Sequence, residues 1–482
     1  MKSKLTTEVL EGRKGFICCN EKGSNSSLKC DKDSVAGSVS QRACVYCGAR
    51  VVLNPITDAF HIVHGPIGCA SYTWDIRGSL SSGPEIYRNS FSTDLREHDV
   101  IFGGEKKLAG AIDEIVEQHE AKVIFIYATC IVGVIGDDIQ AVCKAAEKKH
   151  GIRVIPIQSS GFAGNKSMGY KAACKALMQL MDNGDAGETS RRLGEKTNEG
   201  SLREENSSDE KLCEGSKCEE NQLKPTVNFL GDFNLAGELW IISNYLKYLG
   251  IEVVSKFTGD ARCEELMKAP SASLNIVQCA GSMMFLAKEM EEKYGIPYVK
   301  VSFFGLEDTK ASLIAIAEAL GDQKILERAY ALISIGELKA QSGLKAYRQN
   351  LAGKKAAIYV GGAFKAISLI KQFGDLGIRT VMVGTQTGKP EDYEVIRSIA
   401  EEGTIILDDT NPAELEKFIK EKGADILVGG VKERPLAYKL GVAFCDHNHE
   451  RKHPLCGFEG AINFAKEVDL TINSPIWKII GS

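Results

Sequence analysis

No apolar run in the 482-residue chain is long enough to span a bilayer. The opening MKSKLTTEVLEGRKG lacks the apolar core of a secretory signal. Positive charge is not in excess: 59 Lys and Arg stand against 64 Asp and Glu, a net charge of −5, which argues against a nucleic-acid partner held by electrostatics. A complete G-x-G-x-x-G fingerprint is missing, so no dinucleotide site is claimed. These absences point to a soluble, cytoplasmic protein with neither membrane nor nucleic acid among its partners. In a reducing compartment its 15 cysteines read as thiols or metal ligands, not disulfides. The length excludes a single core, and about two to four domains are expected. A content of 44 % hydrophobic and 26 % charged residues is ordinary for a globular protein.

What is present centres on Arg42–Cys69, RACVYCGARVVLNPITDAFHIVHGPIGC. Gly48 follows Cys44, and Gly65, Pro66 and Gly68 precede Cys69. Glycine beside cysteine lets the backbone turn sharply and approach a bulky ligand, as iron–sulfur clusters held by thiolates require. The competing reading is a pair of buried cysteines in a loop-rich core. Cys130 shifts the balance. It directly follows Lys122–Thr129, KVIFIYAT, a run that reads as a buried parallel strand. Open α/β sheets bind ligands at the carboxyl ends of such strands. Cys279 repeats that placement after Leu274–Gln278, LNIVQ.

The remaining chain alternates strand and helix signals. Residues 1–40 read as a polar N-terminal tail, with Cys18, Cys19 and Cys30 at no metal-ligand spacing. A first α/β domain is expected over 41–182. In it SYTWDIRGSLSSGPEIYRNSFSTDLREHDVIFGGEKKL reads as ordered loop packed over the cluster site, with Arg77 the cation placed near a cluster. Asp137 and Asp138 are candidate helix caps. Residues 183–224 are dense in Glu, Lys, Ser, Asn and Gly and read as a disordered insertion. A second domain spans 225–350, with Asp308 expected to cap a long helical stretch reaching about Asn350. A third spans 351–482, where AAIYVGG, TVMVG, TIILDD and DILVGG alternate with helices in a doubly wound pattern. Near its end CDHNHERKHPLC gathers Cys445, His447, His449, His453 and Cys456. Taken alone the run admits a zinc site, but a polar loop with one or two residues facing a cavity is preferred.

Several long blocks occur in one order: HIVHGPIGC, SSGPEIYR, DVIFGGEKKL, TCIVGVIGDDI, GDFNLAGELW, MEEKYGIPY and HPLCGFEGAINFA. They resemble the nitrogenase component 1 family from about Ala43 to Trp477. WDIRG, SSGP and NLAGELW look most like its α-type scaffold branch, which builds the iron–molybdenum cofactor. The resemblance implies three doubly wound, Rossmann-like parallel-sheet domains around a central cofactor cavity. It also implies a NifN-like β-type partner in an α2β2 heterotetramer. The further partners implied are the nitrogenase iron protein and the proteins that donate the cluster and accept the cofactor.

By the same resemblance, Cys44, Cys69 and Cys130 match α-side ligands of a 4Fe–4S cluster at the subunit interface. Cys279 matches the cysteine that holds the cofactor or its iron–sulfur precursor, matured transiently with molybdenum and homocitrate. Cys47 matches no ligand. Catalytic α subunits carry a histidine where this chain has Cys456, and another over the cluster face where it has Tyr170 and Lys171. Missing imidazoles argue for holding and releasing a cluster rather than delivering protons to a substrate. Cys456 is itself a possible precursor ligand, and Lys171 and Lys365 are candidate cationic contacts. The expected function is thus a cofactor-assembly scaffold without turnover of its own. The alternative is the catalytic or reductase α-type subunit of a divergent nitrogenase-like oxidoreductase.

Overall fold

A computed structural model describes residues 11–21, 28–30, 43–74, 89–182, 224–448 and 450–477. Among these residues the first strand, β1 (Ile17–Cys19), belongs to the last sheet. The next four are β2 (Phe60–His64), β3 (Ser90–Ser92), β4 (Val123–Ala128) and β5 (Arg153–Gln158). They form a parallel sheet in the order β3-β2-β4-β5. The second sheet holds β6 (Thr226–Asp232), β7 (Glu252–Thr258), β8 (Leu274–Val277) and β9 (Tyr298–Lys300), ordered β7-β6-β8-β9 and again parallel. The third holds β10 (Lys355–Val360), β11 (Arg379–Thr385), β12 (Ile405–Asp408), β13 (Ile426–Gly429) and β14 (Ala443–Asp446). Its order is β1-β12-β11-β10-β13-β14, parallel except for β1.

The α/β class and the doubly wound winding agree with the sequence. The central strands are apolar along their whole length because helices cover both faces. Every residue of VIFIYA in β4 is buried, as is every residue of LNIV in β8. β2, β3, β7, β9 and β14 are strands that the sequence did not mark, and the stretch expected as loop through Leu108 holds β3 and the helices Glu97–Phe102 and Glu105–Gln118. β7 and β9 are edge strands with half-exposed ends, and so lack a continuous apolar run.

Two expectations along the chain change. Asp138 caps the helix Ile139–His150 through Ala141 N–H, whereas Asp137 turns back to His64 and Gly104. The stretch expected to run unbroken to Asn350 is two helices, Leu306–Leu320 and Gln323–Leu351, parted at Gly321 with φ +68°. Gly305 precedes the first of them, and Asp308 sits inside its first turn, where it accepts from Lys371 Nζ at 2.7 Å.

The N-terminal segment is also corrected. Residues 11–21 are not a free tail. A 3₁₀ turn over Glu11–Phe16 leads into β1, which pairs antiparallel with β12, Cys18 opposite Ile406. Arg13 is buried and anchors the segment. Its Nε lies 3.0 Å from Glu414 Oε1, and its Nη2 donates to Asp408 O at 2.7 Å. Three residues of strand carry too little pattern to be read from sequence, and this one is held by tertiary contacts. Leu28–Cys30 joins the same region through Lys29 N–H to Gly15 O. The rest of 1–40, Arg77 and residues 183–223 of the insertion lie outside the described residues.

Arg13→Ala strands a buried Glu414 carboxylate, so a loss of about 3 kcal/mol or more is expected. A fall in the urea midpoint of the third sheet's unfolding checks it. A midpoint within error of the parent contradicts the anchoring role.

Candidate metal-cluster sites

In a doubly wound sheet the chain leaves the first strand to one side, then crosses to the other. The gap between those halves opens at the carboxyl ends of two neighbouring strands. Here the gaps fall between β2 and β4, between β6 and β8, and between β10 and β13. The thiols singled out by sequence lie at the first two gaps.

At the first gap, Thr129 ties the ends of β2 and β4 together. Its N–H and its Oγ1–H both donate to His64 O, at 3.2 and 2.9 Å. Cys130 then opens the helix Cys130–Ile135, and its Sγ accepts from Gly161 N–H at 3.1 Å. Cys69 lies in the helix Ile67–Trp74 that follows β2. Cys44 precedes the helix Val45–Leu53 and bridges to Asn165. A Cβ added at Gly161 would lie 3.1 Å from Cys130 Sγ and 3.6 Å from Cys44 Cβ, so the two cysteines flank that glycine. Burial pushes the Cys69 thiol up, and the neighbouring Cys130 and Cys44 push it further. Three half-exposed thiols are therefore within electrostatic reach of one another.

The frame behind them is rigid. Val45–Leu53 crosses Lys166–Met181 so closely that a Cβ at Gly48 would stand 2.1 Å from Lys166 O. His64 is buried below the gap, with Nε2 3.1 Å from Asp137 Oδ2 and Nδ1 3.1 Å from Thr93 Oγ1. Burial lowers the His64 pKa, and the Asp137 carboxylate offsets part of that.

At the second gap Cys279 precedes the helix Ala280–Tyr294 and is half-buried. The backbone of β6 passes hard against it: Gly231 has φ +89°, and a Cβ there would lie 2.8 Å from Cys279 Cβ. Gln278, the residue before, points its Nε2 at Cys456 Sγ at 3.6 Å, and Lys365 lies within electrostatic reach of both Cys279 and Cys456, which join one crevice. Cys456 is fully buried. Burial raises its thiol pKa, Asp232 and Glu238 raise it further, and Arg451 and Lys365 oppose them.

The third gap contributes cations to the same crevice. Lys365, just past Gly361 and Gly362, donates to His447 O at 3.2 Å. Lys365 Nζ and Arg451 Cζ each lie 5.7 Å from the Phe304 ring centroid. Burial and then Arg451 lower the Lys365 pKa to about 8. Arg451 Nε is 3.1 Å from Glu238 Oε1, both side chains being at most 4 % exposed. Burial and then Glu238 push Asp232 up to about 6. His447 is buried against Phe304 and Phe464, and neither ring nitrogen has a hydrogen-bond partner. Burial, then Lys365 and Arg451, lower its pKa well below the usual imidazole value.

The structure thus brings Cys44, Cys69 and Cys130 together, and Cys279, Cys456 and Lys365 together. Lys171 is not in the second group: it is exposed on its helix. The cation that helix turns toward Cys279 is Lys166, whose Nζ lies 5.8 Å from the Tyr170 ring centroid. Burial lowers the Lys166 pKa, but Tyr170, Cys47 and Cys279 outweigh it and the net shift is upward. Sequence reasoning missed Lys166, Glu238, Asp232 and Arg451. Each reads as an ordinary charged residue, and only the convergence of separate units gives it a role. The described part of CDHNHERKHPLC does not gather on a metal: Cys445 turns to Glu467, while His447 turns to the crevice. Among the described residues no three His, Cys, Asp or Glu side chains meet as tightly as a single bound ion requires. A multi-iron cluster spreads its thiolates over separate iron atoms, and three thiols around a glycine-lined gap suit that wider frame.

Comparison with known proteins agrees with this geometry. A model of the nitrogenase component 1 type oxidoreductase family matches residues 44–473. The nitrogenase iron-molybdenum cofactor biosynthesis protein NifE of Clostridium pasteurianum is 65 % identical, over 99 % of this chain and 98 % of that protein. The NifE of Methanosarcina barkeri is 50 % identical over 100 % and 99 %, and that of Klebsiella pneumoniae 36 % over 90 % of each. Among solved structures, one titled nitrogenase Cp1 at pH 5 superposes with a TM-score of 0.82 at 28 % identity, covering 99 % of this chain and 98 % of that one. Sequence blocks, three parallel sheets and whole-length relatives coincide, and this chain belongs to the nitrogenase component 1 type oxidoreductase family.

Proposed function

We propose that this chain is the α-type scaffold subunit on which the nitrogenase iron–molybdenum cofactor is assembled. It holds an iron–sulfur precursor during maturation with molybdenum and homocitrate, then passes it to the catalytic protein. The observation that carries the proposal is the crevice around Cys279. Among the described residues it offers one accessible thiol at a strand end and several cations, but no imidazole fit to deliver protons. His447 reaches the crevice, yet burial and two cations hold it neutral, whereas a general acid works best with a pKa near the operating pH. Relatives bearing the biosynthesis name match at up to 65 % identity, against 28 % for the solved nitrogenase.

Each residue has a stated task. Cys279 supplies a soft thiolate to one end of the cargo. Lys365, Arg451 and Lys166 offset the charge of an anionic cluster. Cys456, buried beside Asp232 and Glu238, stays a protonated thiol, so the far end of the cargo is gripped weakly and can leave.

Cys44, Cys69 and Cys130 are proposed to hold the resident 4Fe–4S cluster, with a NifN-like β-type partner completing its ligation in an α2β2 assembly. When bound, that cluster supplies a one-electron redox centre. The Gly161 N–H to Cys130 Sγ bond is of the kind that tunes such a centre. Large apolar side chains stand exposed beside these thiols, Ile67 at 56 %, Val134 at 66 % and Phe162 at 76 %, and a partner surface would cover them. The iron protein and the cluster-donating and cofactor-accepting proteins are proposed as transient partners.

Replacing Cys44, Cys69 or Cys130 by Ala is expected to lower iron content and weaken association with the β-type partner, since cluster binding and assembly are coupled. Unchanged iron in all three variants defeats the assignment. Cys279→Ala is expected to lose the precursor while the interface cluster's electron paramagnetic resonance signal persists. A Cys279→Ala protein that still carries a full precursor contradicts the crevice site. Robust substrate reduction by the unmodified protein with its reductase would instead favour the oxidoreductase reading.

A further inference from the structure

The Arg451–Glu238 pair is an ion pair by distance and an incomplete one by geometry. Nε and Oε1 are 3.1 Å apart, yet Arg451 Nε and Nη1 and Glu238 Oε1 lack well-aligned hydrogen bonds. A guanidinium normally engages a carboxylate through two parallel N–H bonds. Here Nε and Nη1 make no such bond. The other oxygen, Glu238 Oε2, accepts Ala236 N–H at 2.9 Å, and the carboxylate sits at the start of the helix Glu238–Leu249, where negative charge is favoured. Glu238 therefore keeps favourable contacts if Arg451 turns away from it.

Arg451 also lies next to a second cation. It and Lys365 approach the same ring, Phe304, and Arg451 lies within electrostatic reach of Lys365, so two positive groups share one part of the crevice. Both come from the third sheet's unit, whereas Glu238 comes from the second, so the contact crosses the seam between units. A position already filled by a side-chain carboxylate, beside a further cation, is a template for a ligand with more than one carboxylate.

We propose that Glu238 is a built-in stand-in for a ligand carboxylate. In the ligand-free protein it holds Arg451, and an incoming organic acid with several carboxylates displaces it and bridges Arg451 and Lys365. The same carboxylate competes for Arg451 when the ligand is to leave, so Glu238 sets how firmly the crevice retains an organic acid. The inference deepens the scaffold reading, on which it rests for the identity of the cargo that the acid joins.

The test uses citrate as a tricarboxylate probe, titrated calorimetrically into the full-length chain purified with its β-type partner. Glu238→Gln keeps an oxygen for Ala236 N–H and removes the competing charge. It is expected to bind citrate about tenfold more tightly than the parent, the low end of what one charge-assisted hydrogen bond is worth. Arg451→Gln is expected to abolish binding, and the double variant to resemble it. Circular dichroism and sedimentation confirm that each variant is folded and assembled. Glu238→Gln binding no tighter than the parent overturns the proposal, as does citrate binding that survives Arg451→Gln, or no citrate binding to any of them. Precursor loading of Cys279→Ala is measured in parallel and separates the two claims. Retained loading with the expected citrate pattern defeats the assignment of the cargo to Cys279 and leaves the carboxylate site standing. The reverse result defeats only the role of Glu238.

Discussion

Parallel pairing forces the chain to cross over between neighbouring strands, and in a doubly wound sheet those crossovers part at one gap. That constraint governs the molecule. No backbone partner fills the gap, and the loops around it carry the free ends of helices. The first gap receives Cys130 and Cys69 and is closed at its base by Thr129 on His64 O. The second receives Cys279, with the glycine backbone of β6 against its Cβ. The third contributes Lys365. Cys130 and Cys279 each follow the end of a fully buried strand.

Electrostatics then separates the two sites. Among the described residues the first is mainly thiols and exposed apolar surface. The second is crowded with buried charge from two units: Asp232 and Glu238 on one side, Lys365 and Arg451 on the other. Burying such groups is unfavourable unless they are paired, and the pairing seen here is partial. An incompletely satisfied cluster of this kind does little for stability, but it is well suited to exchanging one anion for another. Cys456, placed among the acids, remains a thiol for the same reason that Lys365 falls to about 8: charge in this crevice is expensive without a close partner.

Much of this was legible in the sequence, for identifiable reasons. KVIFIYAT and LNIVQ are short, mainly apolar runs, so the strands and the cysteines beyond them could be placed from the sequence. The blocks from HIVHGPIGC onward carried the family. What was hidden depended on contacts distant in sequence. β1 is three residues long and gains its stability from Arg13 reaching Glu414, about four hundred positions away. The family resemblance singles out Lys171, beside Tyr170, but the rotation of the helix leaves Lys171 exposed and turns Lys166 toward Cys279. Arg451 lies among candidate metal ligands and Glu238 inside a family block, and more than two hundred positions of sequence separate the two partners. Arg77 lies outside the described residues.

The central claim is that this protein carries a cluster it does not keep. The direct measurement is anaerobic purification of the chain with its β-type partner, with iron, molybdenum and zinc counted before and after incubation with cofactor-free catalytic protein. The account predicts iron beyond that of the interface clusters, little zinc, and transfer of the excess iron to the acceptor while the interface signal stays behind. Iron that remains bound through the incubation, or zinc in place of iron, would contradict it.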